Sequence, residues 1–311
     1  MDKRKEYDVF DSSRMFLWAL FIPQLIAFLV ALFIVIVFKS TEGLSSSPAY
    51  LIIGTLLSQV CFALVYFVFN RKKKIDFLSA SKLNFKLEKT NVILCVFISI
   101  VCVLGLFNFI SIFDVILEKL GFAYLGSSLP INNFGWFVLN ILLLGILPAI
   151  FEELIFRGVI FNGLRKKGFW FATLISSALF ALVHLSIWQS VYPFIMGIIL
   201  CLVAEKTGST IYSMIVHFCN NFIVLLISYI SEIRGAVPSA LVMNSISKAF
   251  MAVFVAVVSL FTIWGIIKYF KKEKQDNPEE IAKNPLDKNE KKQIIIAFAS
   301  AIVVWLIYTL V

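Results

Sequence analysis

The chain has 311 residues, of which 60% are hydrophobic and 15% charged, and its mean hydropathy is +0.92. Soluble domains carry about 25% charged residues, so a soluble globular enzyme is excluded and the length must be taken up by apolar spans and short loops. The formal charge of +9 gathers between apolar runs, which argues for anionic lipid headgroups and against nucleic acid.

Runs long enough to cross a bilayer, about 17–25 apolar residues, fall near 15–38, 48–70, 91–113, 135–163, 168–186, 190–205, 208–231, 248–270 and 293–310. The sixth is short. The first follows Lys3-Arg4-Lys5 but is too long for a signal-peptide core, and no small-residue cleavage site follows it. Residues 75–89 mix apolar residues with lysines and fit a short interfacial helix or a solvated loop equally well. Residues 271–292 are charged, contain Pro278 and Pro285 and lack apolar periodicity, as a disordered linker does. The expected fold is an all-α polytopic transmembrane helical bundle of about nine spans. Its organisation would be N-terminal membrane helices with a basic loop (1–134), a central core (135–231), a further membrane helix (232–270), the linker (271–292) and a C-terminal span (293–311).

Charge in the connections gives an orientation. With the N-terminus in the cytosol, the inside segments hold Lys3 to Lys5 and Arg14, Arg71 to Lys74, Lys82, Lys86 and Lys89. Arg165 to Lys167, Lys206 and the lysine-rich stretch 268–292 follow on the same side. Only Lys39, Lys119, Arg234 and Lys248 fall outside, as the positive-inside rule requires. A Lys/Ile/Phe-rich composition with short loops leans toward a bacterial inner membrane. The five cysteines all lie in apolar stretches without CxxC or zinc spacing, so they read as small packing residues.

Ionisable groups within spans are costly and mark a functional centre by default. The fourth span carries Glu152-Glu153-x-x-x-Arg157. Glu153 and Arg157 are four apart on one helix face, so an ion pair forms easily. Glu152 is rotated about 100° away and can point elsewhere. Pro148 should kink the span or loosen its backbone. The fifth span carries Phe180-x-x-x-His184 and the seventh His217-x-x-x-Asn221, and these are the only two histidines. Taken singly, each motif also fits a packing role: a buried ion pair, an interfacial histidine, an interhelical asparagine bond. Depth joins them. At about 1.5 Å per residue, Glu152 lies roughly 20 Å from Arg165, His184 roughly 25 Å from Lys167, and His217 and Asn221 roughly 16 and 22 Å from Lys206. One layer can hold all four, and the expectation is a cavity opening toward the cytosol. Two imidazoles, a carboxylate and a carboxamide can activate water and stabilise an oxyanion.

These three motifs, in this order on successive membrane helices, resemble those of the CPBP family, the CAAX prenyl protease and bacteriocin-processing (Abi) intramembrane proteases. Lys206-Thr207-Gly208-Ser209, leading into the third motif, also resembles family members. The likeness covers about residues 135–231, and the family's eight-helix arrangement leaves the ninth span outside it. The resemblance implies peptide-bond hydrolysis in a membrane-associated protein or peptide, without a covalent acyl intermediate. Glu152 would be general base on water, helped by His184; His217 and Asn221 would serve the oxyanion; Glu153 and Arg157 would brace the site. No cofactor is the preferred expectation. If zinc is used, Glu152, His184 and His217 are its ligands, but a ligating glutamate is not free as base. Two other classes compete. A non-proteolytic regulatory or immunity protein of the same fold would be expected to lose motif residues. A proton-coupled transporter would favour an inverted repeat with broken helices in both halves.

Overall fold

The computed structural model describes residues 4–38, 47–122, 128–235, 246–271 and 285–310. The helices, in chain order, are α1 (Val9–Phe38), α2 (Pro48–Lys73), α3 (Phe77–Ala80), α4 (Lys89–Lys119) and α5 (Phe134–Lys167). They continue as α6 (Phe169–Leu182), α7 (Val191–Thr207), α8 (Thr210–Ile233), α9 (Ile246–Ile267) and α10 (Lys288–Leu310). Among the described residues there is no strand, only one bridge between Arg4 and Ile75. The protein is an all-α polytopic helical bundle.

Among the described residues seven helices, α1, α2, α4, α5, α8, α9 and α10, are long and apolar enough to cross a membrane. The expected count of nine is corrected at the fifth and sixth runs. α6 has 14 residues and α7 has 17, about 21 and 25 Å of helix against a hydrocarbon core of about 30 Å. Apolar sequence continues beyond Leu182, but the helix does not. The chain turns at Val183 and His184, and Leu185 takes a left-handed backbone at φ 53°. Because the two short helices come as a hairpin, the alternation of the later spans is unchanged.

Caps explain where the helices around the site begin and end. Ser47 Oγ accepts the Tyr50 N–H at 3.3 Å and Pro48 opens α2, whose last turn holds Arg71, Lys72 and Lys73. Gly208, at φ +74°, stops α7, and Ser209 Oγ accepts the Ile211 N–H at 3.3 Å to start α8. Lys206-Thr207-Gly208-Ser209 is therefore a tight turn that sets His217 two turns inside α8.

Two apolar cores flank α5 and α8. One packs α1, α2, α5 and α6 through Phe16, Phe69, Phe156 and Phe180. The other packs α4, α7, α8 and α9 through Leu106, Leu200, Val216 and Ile263. The helices' outer faces remain apolar, with Phe28, Phe33, Phe97 and Phe254 exposed. Such a surface suits lipid.

The segments expected on the inside share one end of the bundle. The Arg4 N–H donates to the Lys74 carbonyl at 3.1 Å, and the Thr210 N–H donates to Lys82 O at 3.1 Å. Arg165 binds Glu205 through Nε at 2.8 Å, and Lys167 pairs with Glu290 at 2.8 Å. Residues 75–89 adopt neither expected form outright. Only Phe77–Ala80 is helical, and Ser81 is fully buried with its hydroxyl 3.0 Å from Tyr7 Oη. Of the expected linker 271–292, residues 272–284 lie outside the described residues, and α10 already begins at Lys288.

Candidate active site

α5 is not a uniform helix. Leu147–Glu153 is α-helical between π-helical turns at Ile141–Ile146 and Leu154–Phe161. Wide turns of this kind interrupt the i→i−4 ladder and recur at functional sites. Pro148 has no N–H to offer the Leu144 carbonyl one α-turn back, and the Asn221 Nδ2–H donates to that carbonyl at 2.9 Å. The loosened backbone that Pro148 predicts is thus satisfied from α8, and one carboxamide hydrogen of Asn221 is spent on it. The other hydrogen remains for a ligand.

Glu153 and Arg157 are fully buried and pair at 2.8 Å, as their spacing predicts. Arg157 also donates from Nη2 to the Gly197 carbonyl at 3.2 Å and stacks its guanidinium 4.4 Å from the Phe180 ring. A side chain at Gly197 would meet Ser177 Cβ at 2.7 Å; the glycine allows α6 and α7 to close around the arginine. Glu153 does more than hold Arg157. Its Oε1 lies 3.1 Å from His217 Nδ1. A carboxylate only accepts, so Nδ1 carries the hydrogen. His217 Nε2 then faces the cavity, 4.0 Å from Glu152 Oε2.

His184 is oriented in the same way. Its Nδ1 lies 2.7 Å from the Phe180 carbonyl, which assigns the hydrogen to Nδ1 and leaves Nε2 free. The Phe180 ring stands edge-on to both imidazoles, at 5.0 and 6.0 Å between centroids. Phe180 in Phe180-x-x-x-His184 therefore aligns both histidines and covers Arg157.

Glu152, His184, His217 and Asn221 all line one cavity of about 450 Å³. The expectation is an opening toward the cytosol; the lining itself reaches the turn between α6 and α7. The lining takes Thr55 and Gln59 from α2, Leu144 to Glu152 from α5, His184 after α6, Tyr192 to Leu200 from α7 and His217 to Asn221 from α8, with Leu200 within two turns of Lys206. The cavity extends to Trp188 and to the exposed Gln189, in the turn between α6 and α7. Glu153, Arg157 and Phe156 are fully buried and do not line it. Asn220, next to Asn221 in the chain, is buried and supports it. It accepts from Tyr192 Oη at 2.5 Å and donates to Asn221 Oδ1 at 3.4 Å. Nothing in the sequence marks Tyr192 or Gln59 as part of this wall.

The zinc alternative requires Glu152, His184 and His217 to surround one point. Among the described residues, no three histidine, cysteine or carboxylate side chains are grouped to hold a metal ion. The set does not fit as it stands, and no step below runs through a metal.

Residues 134–223 match the family model described as type II CAAX prenyl endopeptidase Rce1-like. The chain is 26% identical over 163 residues to the uncharacterized protein YyaK of Bacillus subtilis, covering 49% of this chain and 54% of that one. It is 42% identical over 76 residues to the UPF0177 protein YxdF of Lactococcus lactis, covering 24% of this chain and 42% of that one. The chain thus spans about half the length of the curated relatives it matches. No solved structure matches it. The matched segment holds every motif residue read from the sequence, and residues 134–223 are similar to the Rce1-like family model.

Proposed function

We propose that the protein is an intramembrane endopeptidase that hydrolyses a peptide bond in a membrane-associated protein or peptide. The observation that carries this reading is one cavity presenting a buried carboxylate, two imidazole Nε2 atoms and a carboxamide N–H at bilayer depth. Glu152 takes a proton from water while His184 Nε2 accepts a hydrogen bond from the same water and orients it. The hydroxide adds to the scissile carbonyl, giving a tetrahedral oxyanion. The free Asn221 N–H donates to that oxyanion. His217, its Nδ1–H held by Glu153, presents Nε2 to the same cavity and donates to the oxyanion only as an imidazolium with hydrogens on both ring nitrogens. The proton held by Glu152 passes to the leaving amine, the C–N bond breaks, and water has supplied both atoms. No acyl-enzyme forms and no resident metal takes part.

The test is cleavage of a library of internally quenched apolar peptides by the purified protein in detergent. Release of fluorescence that survives exhaustive chelation is the expected result. Activity that disappears on chelation and returns only with added Zn²⁺ would move Glu152, His184 and His217 to ligand roles. Absence of cleavage across the library would contradict the proteolytic reading itself.

We also place the basic end of the bundle in the cytosol of a bacterial cell, because the positive charge of the described connections gathers there. The cavity then faces the opposite side. In a background without native cysteines, Gln189→Cys should react with a membrane-impermeant maleimide on intact cells, and Lys86→Cys only after permeabilisation. The reverse pattern would invert the topology.

A further inference from the structure

The geometry points to Gln59 as a substrate-positioning residue that pairs with the peptide backbone across the cavity from Glu152. This inference rests on the proteolytic reading of that cavity and names how the substrate is held. Gln59 lies midway along α2 and is only 5% exposed, yet its Oε1 has no hydrogen-bond partner. A buried acceptor left unmade is a standing cost that a bound donor removes.

Its neighbours on the wall are already satisfied. Thr55, one turn earlier on the same face, donates its hydroxyl to Leu51 O at 2.8 Å. Asn220 takes the Tyr192 hydroxyl, and Asn221 gives one hydrogen to Leu144 O. The atoms remaining for a ligand therefore include the carboxylate of Glu152, the two Nε2 atoms, one Asn221 hydrogen, the buried Gln59 carboxamide and, at the exposed rim, that of Gln189. The first four serve the water and the carbonyl. Gln59 matches a peptide group instead, since a carboxamide offers both an acceptor and N–H donors.

The packing supplies the route. α2 packs along α1 and α5, and among the described residues no extended packing joins it to α6, α7 or α8. The cavity nevertheless has α2 on one side and Trp188, Tyr192 and Pro193 on the other. An extended apolar segment can enter from the bilayer between these walls. Its backbone N–H groups, unsatisfied in hydrocarbon, would seek an acceptor such as Gln59.

The experiment measures binding apart from cleavage. A fluorescein-labelled Leu/Ala-rich transmembrane peptide is titrated against the full-length Glu152→Gln protein in detergent, with fluorescence anisotropy as the readout. Adding Gln59→Leu should weaken binding on the order of tenfold, the size of one lost hydrogen bond. Thr262→Val on α9, whose hydroxyl bonds the Val258 carbonyl in the same way outside the cavity, should leave affinity unchanged. Methylating the peptide's backbone nitrogens one at a time should produce the same loss at one position, with no further loss there in the Gln59→Leu protein. Equal affinity for Gln59→Leu, additive losses at every methylated position, or no peptide binding at all would overturn the proposal. Should the otherwise unmutated protein bind the peptide library but cleave none of it, the proteolytic reading fails while the role of Gln59 is still measured.

Discussion

Replacing Arg157 by methionine is expected to destabilise the detergent-solubilised protein by about 3–5 kcal/mol, the cost of breaking a buried ion pair from one side. Three interactions disappear together: the Glu153 pair at 2.8 Å, the bond to Gly197 O at 3.2 Å and the stack on Phe180 at 4.4 Å. Glu153 would be left as a fully buried carboxylate with only the neutral Ser213 hydroxyl and His217 beside it. Lysine would not rescue the site, because a single ammonium cannot reach both partners in Arg157's fork geometry and stack on Phe180. The comparison that isolates burial is Arg165→Met. Arg165 binds Glu205 with similar chemistry, but the side chains are 17% and 27% exposed, so that loss should be only about 0–1 kcal/mol. Thermal unfolding of the two variants side by side checks the account. Equal small shifts would mean that the Glu153–Arg157 pair carries little of the site's stability.

Much of this arrangement is legible in the sequence, for identifiable reasons. Composition and run length require a helical membrane bundle, because only internally satisfied backbone survives in lipid. The Glu153–Arg157 contact follows from i,i+4 spacing within one helix. Contacts between helices are less accessible. Glu153 meets His217 from 64 positions away, and Asn221 meets Leu144 from 77, which no local period encodes. Pro148 signals a disturbed backbone but not which residue repairs it. The length of α6 is hidden because Leu182 and Leu185 are equally apolar, and the left-handed turn between them is set by tertiary context. The side on which the cavity opens is hidden as well. Depth along a helix tells how far a residue lies from the basic end, not which end has the gap.

His184→Ala should lower turnover by about 10²–10⁴-fold, as loss of a positioned acid–base group does. Its ring is held by the Phe180 carbonyl at 2.7 Å, so removing it leaves the water without its second acceptor. The Glu152→Ala/His184→Ala double variant should be little worse than Glu152→Ala alone, because both residues act on one water. Asn221→Ala concerns the oxyanion instead and should cost about 10²–10³-fold, leaving slow cleavage. It also frees the Leu144 carbonyl beside Pro148, so a modest fall in thermal stability should accompany it. Steady-state rates of the single and double variants on one cleaved peptide separate these cases. Fully multiplicative losses for Glu152 and His184 would mean that they do not share a water.

The central claim is that Glu152 is the base. The measurement that bears on it most directly is the rate of peptide cleavage by purified Glu152→Gln protein, alongside its thermal unfolding. Glutamine keeps the side chain's size and removes its ability to take a proton. The account predicts an intact fold with turnover reduced to background. Undiminished cleavage by Glu152→Gln would contradict it and make Glu153 the next carboxylate to examine.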